Sequence, residues 1–188
     1  AAEPVSLRFW TLANVFTFTR FACAPICAAL FLTDSYWGVW VGGWLGGLAM
    51  FTDFCDGYFA RRQKQVSDLG KIFDPLADAV FFVMVWTAFG MIGAYPLWFA
   101  LPFIVREFVQ HVYIRPTAAA RGVALGANFW GKLKTLVQTL VLIAICWLVF
   151  FTYYWPWIGV WTRPLNMVLI GVTGLVSVLS IIPYFGAL

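Results

Sequence analysis

The chain has 188 residues, of which 63% are hydrophobic and only 11% charged, with a formal net charge of +4 and a mean hydropathy of +0.86. A soluble domain carries about a quarter charged residues, so the composition excludes a soluble globular protein and describes an all-α integral membrane protein. A span needs roughly 20 apolar residues, so the length accommodates about six spans with short connections.

Ala1–Arg8 is short and mildly polar, unlike the apolar core of a cleavable signal. Residues 1–11 read as an interfacial N-terminal segment, with Arg8 and Trp10 as snorkelling and belt residues. Residues 12–188 read as one six-helix transmembrane domain. The predicted spans are Asn14–Leu32, Tyr36–Ala60, Gly70–Gly93, Pro96–Tyr113, Phe129–Phe151 and Leu165–Tyr184. Gly38, Gly42, Gly43, Gly46 and Gly47 in the second span form small-xxx-small registers that let helices approach closely. Tyr153 to Trp157 read as an aromatic interface belt. Cys23, Cys27, Cys55 and Cys146 all lie in apolar segments at spacings that match no zinc pattern, and read as packing residues.

Arg61, Arg62, Lys64 and Lys71 fill the connection between spans two and three, and Arg115, Arg121, Lys132 and Lys134 that between four and five. The opposite connections carry only Arg163. The positive-inside rule then places the N-terminus, both basic connections and the C-terminus in the cytoplasm.

The stretch that carries chemistry is Asp53 to Asp78, where Asp53, Asp56, Asp74 and Asp78 flank Gly57, Ala60, Arg61 and Gly70. Ionisable residues inside a membrane are expensive and mark functional sites. Residues three or four apart share a helix face, so two such faces brought together make a four-carboxylate pocket. Oxygen ligands of this kind suit a hard divalent cation, Mg2+ or Mn2+. Two such ions bridge a diphosphate and stabilise attacking and leaving oxygens. The expected site is an intramembrane cavity open to the cytosol, taking one lipid substrate and one from solution.

The pattern Asp-x-x-Asp-Gly-x-x-Ala-Arg, eight residues, Gly, three residues, Asp, three residues, Asp resembles the signature of the CDP-alcohol phosphotransferase family, and it is filled without a departure. The resemblance implies a CDP-linked lipid donor, two divalent cations on Asp53, Asp56, Asp74 and Asp78, and Asp78 as general base. It also places Asn14 and Thr17 (with Arg20, on one face of span one), Gly57, Ala60, Arg61, Ser67 and Gly70 around the donor. The same resemblance implies a homodimer; a multi-pass protein of a bacterial inner membrane, or of an organelle membrane, is expected, with no nucleic-acid partner.

Arg106, Arg115, Arg121, Lys132 and Lys134 gather on the aspartate side and exceed what Glu107 neutralises, which points to an acceptor phosphate; His111 is a further candidate contact. Ala118–Gln138 and the Arg106-Glu107 pair resemble the phosphatidylglycerophosphate synthase branch of the family, which implies CDP-diacylglycerol as donor and glycerol-3-phosphate as acceptor. Ala79, where that branch carries Lys, is a departure, as is Val109–Tyr113. Phosphatidylglycerol or inositol phosphate as acceptor are the alternatives within the class. A divalent-cation transporter is the alternative outside it, though such a protein would place acids near mid-membrane in a repeated pattern.

Overall fold

In the computed structural model the backbone is described over residues 12–63, 68–122 and 129–185, and the side chains over 17–51, 73–122 and 129–185. Backbone polar groups in hydrocarbon must be satisfied within the segment, which favours helix throughout. Among the described residues every regular element is helical: α1 (Leu12–Leu32), α2 (Tyr36–Gln63), α3 (Asp68–Met91), α4 (Leu101–Phe108), α5 (Arg115–Ala120), α6 (Phe129–Tyr154), α7 (Gly159–Leu179) and α8 (Ile182–Phe185). By length and composition, three stretches among them are long and apolar enough to cross a membrane: Phe73–Met91, Phe129–Tyr154 and Pro156–Phe185. Thr17–Leu32 is a shorter apolar helix.

Two boundaries differ from the sequence reading. A 3-10 turn (Leu97–Ala100), α4, a π-helical stretch (Val109–Ile114) and α5 form one helical run that continues past Tyr113 to Ala120. Near the C-terminus, the break after α6 shrinks to Trp155 and a 3-10 turn (Pro156–Ile158). Arg163 and Pro164 therefore lie inside α7, not before it. Arg163 is exposed there, and a long cationic side chain near a helix start reaches the interface without ending the helix.

α1 packs along both α2 and α3, α2 meets α6, and α7 lies against α6 and α4. Gly42 permits the α1–α2 approach, since a Cβ there would stand 2.8 Å from the Phe31 ring. The Phe31 and Phe89 rings meet at 4.6 Å, and Trp86 stacks on Phe103 at 5.7 Å, carrying the core from α1 through α3 to α4. Tyr95, in the turn after α3, donates to the Trp86 carbonyl at 2.6 Å, and burial raises the pKa of its hydroxyl.

The α1–α2 turn is pinned to the end of α6. Ser35 Oγ accepts the Gly38 N–H at 3.1 Å and caps α2. Tyr153 donates to Asp34 at 2.6 Å, and the Tyr36 and Tyr154 hydroxyls meet at 2.9 Å. Beyond this clamp α2 and α6 diverge around an apolar cleft of about 430 Å³, lined by Gly43, Gly47, Met50, Phe81, Ile143 and Trp147 among others.

Candidate active site

Asp74 and Asp78 stand one turn apart on α3 and so share a face. The helix packed along that face, α1, presents Thr17 and Arg20 at a matching spacing. The Thr17 hydroxyl donates to Asp74 Oδ1, and Arg20 Nη1 donates to Asp78 Oδ1 at 2.5 Å. Thr17 and Arg20 are buried, whereas the Asp78 side chain keeps 31% of its surface. Both carboxylates are thus held by α1, and both keep part of their surface exposed. The predicted Asn-x-x-Thr-x-x-Arg face acts, through Thr17 and Arg20, on the aspartates themselves; the Asn14 side chain lies outside the described residues.

A second polar cluster sits where α4, α6 and α7 meet. Glu107 is its centre. Arg106 Nη1 donates to both of its carboxylate oxygens at 3.0 Å, and Lys134 Nζ donates to Oε1. Arg106 Nη2 also reaches Ser180 Oγ at 3.2 Å, and His111 Nδ1 donates to the Glu107 carbonyl at 3.0 Å. Arg106, Glu107 and Lys134 are each no more than 9% exposed. A buried charge is tolerable only when paired and hydrogen-bonded, so the adjacent Arg106-Glu107 pair is satisfied as the sequence alone would allow. Two cations on one anion nevertheless leave a net positive charge. Arg115, half-buried one turn after His111, adds to it within electrostatic reach of Arg106 and Glu107. Lys134 also lies within electrostatic range of Asp78.

The other predicted cations separate from this group. Lys132 is exposed on the face of α6 away from Lys134, as a spacing of two dictates. Arg121 is exposed beyond the end of α5. Among the buried polar side chains that sequence reasoning did not single out are Gln110, Gln138 and Ser177. Gln138 Oε1 and Nε2, Gln110 Oε1, Ser177 Oγ and His111 Nε2 have no hydrogen-bond partner. Each such atom costs about 1–3 kcal/mol. The signal for Gln138 was a lone amide in the apolar run Phe129–Tyr154, one turn beyond Lys134. His111 lies in the π-helical stretch, an irregularity that recurs at functional sites.

The sequence profile of the CDP-alcohol phosphatidyltransferases matches residues 10–177. The chain belongs to the CDP-alcohol phosphatidyltransferase family. Curated relatives include the CDP-diacylglycerol–glycerol-3-phosphate 3-phosphatidyltransferase of Bacillus subtilis, 32% identical over 148 residues, covering 72% of this chain and 76% of that one. The protein of the same name from Mycoplasma genitalium is 36% identical over 106 residues, covering 56% of this chain but only 44% of its own length. A cardiolipin synthase (CMP-forming) from Streptomyces coelicolor is 29% identical over 131 residues, covering 68% of this chain and 61% of that one.

In this chain the remaining motif residues lie on stretches of helix whose side chains are not described: Asp53, Asp56, Gly57, Ala60 and Arg61 on α2, and Gly70 on α3. Ser67 lies outside the described residues altogether. Among the described residues no group of three or more His, Cys, Asp or Glu comes together, because only two of the four aspartates are within that set. Those two fit a hard cation: both are carboxylates on one helix face, fixed by neighbours and partly open. An all-oxygen donor set selects Mg2+ or Mn2+ over softer metals.

Proposed function

We propose that the protein transfers a phosphatidyl group from CDP-diacylglycerol to glycerol-3-phosphate, giving phosphatidylglycerophosphate and CMP. The observation that carries this reading is the pairing of α1 and α3, in which Thr17 and Arg20 orient Asp74 and Asp78 beside a net-cationic cluster. Asp53, Asp56, Asp74 and Asp78 would hold two divalent cations, which when bound supply positive charge against the diphosphate. Gly57 and Ala60 are small enough for the nucleotide to lie close to α2, with Arg61, Asn14, Thr17, Ser67 and Gly70 completing the donor site.

The acceptor's phosphate is drawn by Arg106, Lys134 and Arg115, with Arg121, Lys132 and His111 as outer candidates. Arg binds a phosphate bidentately and Lys as a point charge. Asp78 takes the proton of the attacking hydroxyl, whose oxygen bonds to the phosphorus already linked to diacylglycerol. The bond from that phosphorus to CMP breaks, and CMP leaves with the electron pair. Met50 on α2 and Phe81 on α3 each lie three residues from a motif aspartate and line the apolar cleft. The cleft therefore continues the site toward the membrane interior, where the donor's acyl chains belong.

We read the chain as a six-span bacterial inner-membrane protein with this site facing the cytoplasm, working as a homodimer. The test is purified protein with CDP-diacylglycerol, Mg2+ and a panel of acceptors. Release of CMP with glycerol-3-phosphate supports the reading. Release only with phosphatidylglycerol or inositol phosphate would move the acceptor assignment, and no release with any acceptor would favour a transport role.

A further inference from the structure

Gln138 lies one turn beyond Lys134 on α6, at 1% exposure. Neither end of it makes a hydrogen bond, and the packing leaves no water-sized opening at either atom. Buried polar groups in native proteins are almost always paired, and an exception calls for a ligand or a functional reason. Its position supplies one. Gln138 shares a buried stripe of α6 with Lys134, Leu142 and Ile145. Side chains on a helix lean toward its N-terminus and lie over the preceding turn. That direction sets the amide over the turn that carries Lys134, which donates to Glu107.

We infer that Gln138 is a specificity-determining residue that reads a neutral hydroxyl of the acceptor. This rests on the proposed acceptor chemistry. A polyol phosphate offers three things to a site: an anionic phosphate, the hydroxyl that attacks, and a further hydroxyl that does not react. The cations answer the first and Asp78 the second. A carboxamide, which both donates and accepts, answers the third, because a hydroxyl does the same. Lys134 is engaged with Glu107, and the amide is closed over. Transfer of Lys134 from Glu107 to the acceptor's phosphate uncovers Gln138 at the moment when the hydroxyl arrives. A site built to bond a hydroxyl discriminates strongly against an analogue lacking it, since its own polar atoms are then left unpaired.

The experiment compares glycerol-3-phosphate with 3-hydroxypropyl phosphate, which keeps the phosphate and the terminal hydroxyl but lacks the middle one. Both are assayed by CMP release with wild-type protein and with Gln138→Leu, a replacement of similar size. Wild type should prefer glycerol-3-phosphate. Gln138→Leu should lower its kcat/KM by roughly 10- to 100-fold while leaving that for 3-hydroxypropyl phosphate and the KM for CDP-diacylglycerol within about twofold, so that the preference collapses. The thermal midpoint of the ligand-free variant should equal or exceed that of wild type, since an unpaired amide has been removed. Equal losses with both acceptors, or a fall in midpoint with selectivity kept, would make Gln138 structural and overturn the inference. Failure of wild type to turn over either acceptor would instead overturn the functional reading beneath it.

Discussion

Glu107→Leu is the substitution whose outcome the structure constrains most tightly. It removes the one carboxylate that Arg106 and Lys134 share, and both cations are at least nine-tenths buried. Breaking a buried ion pair by deleting one partner costs about 3–5 kcal/mol, because a charge is left without compensation in low dielectric. Ser180 retains one hydrogen bond to Arg106 but carries no charge. For a chain of this size 1 kcal/mol corresponds to roughly 2–4 °C, so the thermal midpoint in detergent should fall by about 6–20 °C. Adding Lys134→Met should recover part of the loss, since the double variant buries one cation fewer; a double-mutant cycle isolates that coupling. A midpoint for Glu107→Leu within about 3 °C of wild type would refute the reasoning, for it would mean that the cations do not depend on Glu107.

Asp78→Asn should lower turnover by about 10²–10⁴-fold, the usual range for loss of a general base, with folding intact by thermal shift. Arg20→Met should reduce kcat at least about tenfold with little change in the KM for glycerol-3-phosphate, because Arg20 orients Asp78; a change confined to that KM would contradict the assignment. Gly43→Leu should leave stability unchanged or slightly raised, since a Cβ at Gly43 meets nothing within 4 Å, whereas Gly42→Leu should destabilise by driving into the Phe31 ring. The same Gly43→Leu protein should lose turnover with a long-chain CDP-diacylglycerol more than with a dioctanoyl one, and equal turnover with both would place the acyl chains elsewhere.

Much of the fold was legible because membrane helices are written in long apolar runs. α1 ends at Leu32, α2 begins at Tyr36 and α6 begins at Phe129, as read from the sequence. Misreadings fall where polar residues sit inside helices. The fourth run was read to end at Tyr113, before the polar residues from Arg115, yet the helix goes on through the π-helical stretch into α5 with Pro116 within it. Arg163, read as part of a connection, likewise lies inside α7. The π-helical stretch at Val109–Ile114 has no sequence signal of its own.

The candidate site was legible where spacing alone determines a face. Thr17 with Arg20 and Asp74 with Asp78 could be paired by period, although only the packing of α1 on α3 shows that the two faces meet. Lys132 and Lys134 could not be told apart by composition, and helix phase sends one outward and the other to Glu107. Gln138 escaped attention because an uncharged amide among apolar neighbours contributes little to a hydropathy pattern; its isolation is visible only once its partners can be sought.

The central claim is that acids from α2 and α3 together hold a pair of hard cations, and Mn2+ binding followed by electron paramagnetic resonance tests it most directly. Wild-type protein with CDP-diacylglycerol should bind two Mn2+ ions per chain with the broadened spectrum of neighbouring spins, and Asp53→Asn or Asp74→Asn should each lower both the stoichiometry and the coupling. Stoichiometric binding that survives both substitutions, or no Mn2+ bound at millimolar concentration, would contradict the account.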